Sequence, residues 1–199
     1  PKSLGFRMPA EWEPQEAVWI SWPHNKDTWP NEMLKEVENS YIEFVKALDT
    51  GQKIRILVND EESEENAKIR LRNSKIGPSQ VIFYQIPTVD AWIRDYGPTF
   101  VINDKTKKKA MVKWTFNAWG DKYEDLKQDN RIPYEMNEIL KLPIFEPKIV
   151  LEGGSIEVNG SGTVLTTEQC LLNKNRNPTF NKKQIEEYLK NYFSVSNIL

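Results

Sequence analysis

Two carboxylates, a guanidinium and two aromatic rings fall within nine residues of this 199-residue chain, Asp90-Ala91-Trp92-Ile93-Arg94-Asp95-Tyr96-Gly97-Pro98. Carboxylates beside aromatic faces suit a cationic ligand, held by charge-assisted hydrogen bonds and cation–π contact. Pro87 stands before the stretch and Pro98 ends it, so the sequence predicts an ordered loop between two strands rather than a helix. Functional groups concentrate in such loops, because the strands hold them while the loop exposes them. The same residues also admit a structural account, an Arg94–Asp95 ion pair with Trp92 in the core, since ion-pair networks imitate functional sites.

A second acid stands in a similar setting. Asp95-Tyr96-Gly97-Pro98 leads into Thr99-Phe100-Val101-Ile102-Asn103-Asp104, and Glu152-Gly153-Gly154 leads into Ser155-Ile156-Glu157-Val158-Asn159-Gly160. Each acid precedes a predicted hairpin, a glycine follows closely, and Asn-Asp or Asn-Gly opens the turn. Read as an internal repeat, the pattern is β-β-α-β, with Asp95 and Glu152 at equivalent positions of neighbouring modules. Acids at equivalent strand ends can converge on one pocket.

The elements that must carry these residues follow from periodicity. Glu16–Trp22 reads as a strand stopped by Pro23. An amphipathic helix is predicted from about Asn31, its cap, to Leu48, with Met33, Val37, Tyr41, Phe44, Val45 and Leu48 on one face and Gly51 at its end. Lys53–Val58 reads as a strand, Glu61–Arg72 as an acidic helix, and Val81–Ile86 as the strand feeding the opening stretch. Strands at Thr99–Ile102 and Ala110–Phe116, a helix from about Pro133 to Lys141 and a strand from about Lys148 to Leu151 complete the first module. Strands at Ser155–Val158 and Thr163–Thr167, then a helix capped by Asn181 with Ile185, Leu189 and Tyr192 on one face, begin the second. The second module ends in Val195–Leu199, entering a strand, so the natural domain is expected to be longer than the chain.

Composition narrows the function classes. A net charge of -2 gives no bulk attraction to nucleic acid or an anionic membrane. Lys105–Lys109 is read as a solvated hairpin tip, and no apolar run approaches a membrane span. One cysteine, Cys170, excludes an intramolecular disulfide framework and fits a reducing cytosol. Cys170 and His24, the only residues of their types, suggest a nucleophile–base pair. The apolar context of Cys170 instead predicts a buried, inert thiol. One Cys and one His do not make a zinc site of the usual composition, and no glycine pattern matches a nucleotide-binding fingerprint. Trp19, Trp22 and Trp114 are predicted to lie in strands and to pack in the core. An aromatic-rich carbohydrate-binding domain would expose them.

Six segments together resemble the agmatine deiminase family, which shares fold and chemistry with the bacterial-type peptidylarginine deiminases. They are Met8–Pro14, Trp22–Asn25, Asp90–Pro98, Phe116–Gly120, Leu151–Gly154 and Leu171–Pro178, in family order over nearly the whole chain. The resemblance implies an α/β pentein fold, an α/β propeller of ββαβ modules around a pseudo-fivefold axis. About three of five modules would be present, making residues 1–199 one incomplete domain. It implies hydrolysis of agmatine to N-carbamoylputrescine and ammonia without a cofactor, a step toward putrescine, through a covalent cysteine adduct. Asp95 matches the acid that grips the guanidinium, Glu152 the acid that supports the catalytic histidine, and Trp92 the aromatic lining the pocket. The family's His-x-Asp motif and C-terminal nucleophilic cysteine have no counterpart here, and Cys170 matches a non-nucleophilic position. This chain alone is therefore expected to be inactive. Peptidyl-arginine is the alternative substrate, a non-catalytic module binding cations the alternative class, and pairing through exposed strand edges a route to a homo-oligomer.

Overall fold

The computed structural model describes residues 1–48, 51–77 and 80–199. Their contacts divide into two compact units, one of Pro14–Ile93 and one of Pro1–Glu13 with Arg94–Leu199.

The first unit is a parallel sheet with two helical crossovers. Strands β1 (Ala17–Ser21), β2 (Lys53–Val58) and β3 (Val81–Gln85) pair in that order, both ladders parallel, with Trp19 opposite Arg55 and Ile56 opposite Phe83. Parallel neighbours require crossovers, which the helices Met33–Leu48 and Glu61–Asn73 supply. Asp60 caps the second helix, its side chain accepting from Ser63 N, and Glu61, Glu62 and Glu64 favour the same end. The first helix begins two residues beyond Asn31, which is left-handed at φ 56° rather than a cap. Its buried stripe centres on Ile42 and Val45, with Tyr41 and Leu48 partly buried, while Met33 and Phe44 face solvent. With Ile20, Trp22, Ile54, Ile56, Val58, Ala67 and Leu71 these residues form the unit's core.

The second unit contains the expected repeat twice. Strands β4 (Thr99–Ile102) and β5 (Lys109–Val112) pair antiparallel, and β6 (Ile144–Phe145) joins β5 in parallel after the helix Ile132–Leu140. Strands β7 (Ile156–Val158), β8 (Thr163–Thr166) and β9 (Asn197–Ile198) reproduce that pairing around the helix Lys182–Phe193. The hairpin turns match as well. Asn103 Oδ1 accepts from Lys105 N and Thr106 N, and Asn159 Oδ1 accepts from Ser161 N and Thr163 N. Asn181 and Gln184 close a reciprocal capping box on the last helix, as predicted. Val101, Val112, Ile156, Val158, Val164, Ile185, Leu189 and Phe193 share one core.

Three sequence readings are corrected. The strand expected at Lys148–Leu151 is a single bridge, Thr115 to Val150, because β6 forms four residues earlier, after Pro143. Ile93–Tyr96 is one helical turn, not open loop. Trp22 and Trp114 are buried, but Trp19 is only half-buried, stacked on Tyr84 at 5.2 Å under the Arg55 guanidinium.

Candidate functional site

Asp95 and Glu152 occupy matching places in the two modules. Asp95 lies four residues before the start of β4, and Glu152 four before the start of β7. Each is part of or beside a single helical turn, Ile93–Tyr96 or Gly153–Ser155. The two segments also touch. Gly154 N donates to Asp95 Oδ1 at 2.9 Å, and Arg94 Nε donates to the Gly153 carbonyl at 3.2 Å. The paired glycines are what allow this approach. A Cβ on Gly153 would meet the Arg94 carbonyl oxygen, and one on Gly154 the Asp95 carboxylate, both well inside 3.0 Å. Neither glycine has a positive φ, so space, not backbone freedom, demands them.

Arg94 does not pair with Asp95. Its guanidinium reaches Glu11 and also donates to the Ile156 carbonyl at 3.3 Å, so it clips the chain segments around the site. The two oxygens of half-buried Asp95 receive one N–H each, Gly154 N on Oδ1 and Trp119 Nε1 on Oδ2 at 3.0 Å. A carboxylate offers about four lone-pair positions, so each oxygen keeps accepting capacity for a bound cation.

Glu152 is 3% exposed. Arg176 Nε donates to its Oε1 at 2.8 Å, whereas Oε2 is buried with no hydrogen-bond partner among the described residues. A buried carboxylate oxygen lacking a donor costs several kcal/mol or is matched by a group from elsewhere. Asn177, buried beside this pair, accepts from Val150 N and donates to the carbonyls of Val150 and Leu171 at 2.9–3.0 Å. It thereby fixes the backbone leading into Glu152.

In the first unit, functional groups collect at the C-terminal ends of the parallel strands, where open α/β sheets bind ligands. The loop after β3 is tied to its neighbours through Thr88. Its Oγ1 lies 3.0 Å from Ser21 Oγ, its N donates to Asn59 Oδ1 at 2.9 Å, and its carbonyl accepts from Asn59 Nδ2 at 3.1 Å. Asn25 Nδ2 donates to the Val89 carbonyl at 3.1 Å. Asp90 is fully buried and accepts from Thr28 Oγ1 at 2.5 Å. Burial first, and the Asp90 charge second, raise the Tyr41 phenol above its ordinary pKa. Trp92 is 40% exposed, not core, and its ring lies 5.7 Å from that of Trp29. Sequence reasoning missed Trp29, Trp119 and Arg176 because each earns its place through a contact distant in sequence.

His24 and Cys170 have local duties. The ring nitrogens of His24 lie 3.0 Å from the Trp22 and Thr88 carbonyls, joining two loops of the first unit. Cys170 lies half-buried in the short helix Glu168–Leu171, where its N–H donates to the capping Thr167 hydroxyl at 3.3 Å. The predicted full burial of this thiol is not found. One helical turn at the chain surface buries mainly Leu171. Among the described residues, no helix is long and apolar enough to cross a membrane.

Known proteins resemble this chain in sequence and fold. The model of the Porphyromonas-type peptidyl-arginine deiminases matches residues 7–199. A protein of Marinomonas sp. (strain MWYL1) assigned as an agmatine deiminase is 39% identical over 203 residues, covering 100% of this chain and 53% of its own length. The agmatine deiminase of Enterococcus faecalis superposes with a TM-score of 0.89 at 39% identity, covering 100% of this chain and 53% of that one. A substrate-bound C. jejuni agmatine deiminase variant gives a TM-score of 0.83 at 35% identity, covering 97% and 55%. The chain thus spans about half the length of the relatives it matches. With the fold, the repeat and this match over nearly its whole length, the chain belongs to the Porphyromonas-type peptidyl-arginine deiminase family.

Proposed function

We propose that the full-length protein is a guanidine deiminase, converting agmatine and water to N-carbamoylputrescine and ammonia, and that this chain supplies the acidic half of its site. The observation that carries the reading is the pairing of Asp95 with Glu152. Two acids stand at matching positions of successive modules, their segments in contact, and one oxygen of buried Glu152 has no donor among the described residues. Asp95 has the remaining acceptor capacity to hold a planar guanidinium by charge-assisted hydrogen bonds. Glu152 Oε2 is suited to receive an imidazole N–H, fixing that ring's tautomer and favouring its protonated form. Trp92 is assigned to the substrate pocket by its match to the family motif alone.

The reaction itself needs a thiolate and an imidazole, which we place in the part of the protein beyond this chain. The thiolate adds to the guanidinium carbon, the adduct expels ammonia with a proton from the imidazolium, and an S-alkylthiouronium remains. Water, deprotonated by the now neutral imidazole, adds to the same carbon. The C–S bond then breaks and the added hydroxyl gives its proton to solvent, releasing the urea product and the thiolate. Asp95 neutralises the cation through these steps without reorganising, which is how preorganised charges lower such barriers.

The deciding experiment is turnover by the full-length protein. Ammonia and a carbamoyl product from agmatine, formed far more slowly but still measurably in Asp95→Asn and Glu152→Gln, are expected. Turnover of peptidyl-arginine but not agmatine would move the substrate assignment. Tight agmatine binding without product would replace the reading with a cation-binding module.

A further inference from the structure

Four consecutive residues after the Phe116-Asn117 segment have positive φ: Ala118 at 51°, Trp119 at 58°, Gly120 at 85° and Asp121 at 61°. A left-handed conformation costs a non-glycine residue roughly 1–2 kcal/mol, and three of these four carry side chains. Such strain persists only where surrounding contacts over-determine it, and it clusters at functional sites. Here the contacts are specific. Asn117 Oδ1 accepts from Gly120 N at 2.9 Å, Asp121 N donates to the Asn117 carbonyl at 2.7 Å, and Lys127 holds the Asp121 carboxylate at 2.8 Å.

The turn touches Asp95 and the side chain that holds Glu152. On one side it delivers the indole N–H of Trp119 to Asp95 Oδ2. The indole is held edge-on by Phe116 at 5.3 Å and Tyr123 at 6.0 Å, and Phe116 in turn packs on Tyr96, next to Asp95. On the other side, Gly120 lies so close to Arg176 and Asn175 that any Cβ would strike both side chains, and Arg176 is the residue that holds Glu152.

We propose that the left-handed turn Ala118–Asp121 is the positioning element of the guanidinium site, and that Trp119 acts through its indole N–H as the positioning residue for Asp95. With Gly154 N on Oδ1 and the indole on Oδ2, the carboxylate plane is fixed before the guanidinium arrives. Trp119 is thus a residue whose contribution to the reaction passes entirely through another side chain. The inference rests on Asp95 being the guanidinium clamp.

A double-mutant cycle in the full-length enzyme, with a spectroscopic arm, tests it. Trp119→Phe keeps a ring and removes the donor. It is expected to lower kcat/KM for agmatine about 10- to 100-fold, the loss typical of one hydrogen bond to a charged group. In an Asp95→Asn background the same change is expected to cost less than about 2-fold, because coupled residues are non-additive. In 15N-tryptophan-labelled protein, the Trp119 indole resonance should move on Asp95→Asn. Equal losses in both backgrounds would mean that the ring serves only packing and would overturn the proposal, as would an indole resonance that Asp95→Asn leaves in place. An Asp95→Asn enzyme of full activity would instead sink the clamp and the positioning role together, even with the resonance shifted, so the two failures read differently.

Discussion

Replacing Gly153 by alanine isolates the contact on which the two acids depend. The new Cβ would point at the backbone carbonyl of Arg94, an atom that cannot rotate aside. Carbon–oxygen contacts begin near ~3.3 Å, so the Glu152 and Asp95 segments must separate by on the order of 1 Å. Overpacking of this kind costs roughly 1–3 kcal/mol, and the upper part of that range applies where the opposing atom is main chain. Gly153 has no positive φ, so alanine is sterically admissible in the backbone and returns about 0.4–1 kcal/mol by restricting the unfolded chain. The net expectation is a loss of about 2 kcal/mol, or roughly 2–4 °C in the melting temperature of a full-length protein about twice as long as this chain. Activity should fall further than stability predicts, about 100-fold in kcat/KM, because displacement of that size at a reacting centre is expensive. Gly51→Ala is the internal control. Among the described residues, nothing lies within 4 Å of the Cβ it would add. It should leave activity unchanged and hold or slightly raise the melting temperature. Calorimetry and steady-state turnover on the full-length variants measure both. A Gly153→Ala protein with the parent melting temperature and turnover would refute the reasoning that the glycine pair exists for close approach.

Three other perturbations separate further parts of the argument. Arg176→Met removes the one hydrogen-bond donor that the described residues offer the 3%-exposed Glu152 carboxylate, and removing one partner of a buried pair costs about 3–5 kcal/mol, readable by urea denaturation. Asn177→Ala strips partners from the buried N–H and C=O of Val150 and the C=O of Leu171, and roughly 2–4 kcal/mol is expected by the same assay. Hydrogen bonds from Arg7 hold the Glu13 and Asp104 carboxyls below their ordinary values. As pH falls below the usual carboxylate range, the unfolded chain therefore binds protons before the folded one does. Stability that is fully present above that range is lost as pH drops through the lowered values. Arg7→Met should flatten this acid limb in a melting-temperature series from neutral to acid pH, and an unchanged limb would argue against the assignment.

What could be read from the sequence was whatever is written in short-range pattern. Asn181 followed by Gln184 encodes a capping box, and the structure has one. Asn103 and Asn159 each open a hairpin because an Asn side chain can accept from backbone N–H groups a few residues on. The ββαβ repeat was visible for the same reason, since its strands, turns and helices are local elements in a fixed order. Boundaries failed where tertiary contact overrode pattern. Ile149, Val150 and Leu151 are apolar enough to read as a strand, yet their pairing stops at one bridge, with Thr115 N donating to the Ile149 carbonyl and Leu151 N to the Thr115 carbonyl, and all three side chains are buried. Phe44 reads as core by spacing, and the helix turns it outward because Ile42 and Val45 already meet the sheet.

The site divides along the same line. Asp95 and Glu152 were legible as chemistry because an acid before a hairpin is a local signal that recurs. Their supports were not. Nothing near Trp119 in sequence says that its N–H belongs on Asp95, 24 residues earlier, and nothing near Arg176 points to Glu152, 24 residues before it. The sequence held one further clue in Gly153-Gly154 and Gly120, whose missing Cβ atoms are required by backbone or side chains from elsewhere. A glycine with ordinary φ and no turn to make signals a close neighbour, as Gly153 and Gly154 do. A glycine inside a left-handed run signals strain that something must hold, as Gly120 does. These three glycines lie against Arg94, Asp95 and Arg176, so the residues with least chemistry of their own mark where the charged groups are held.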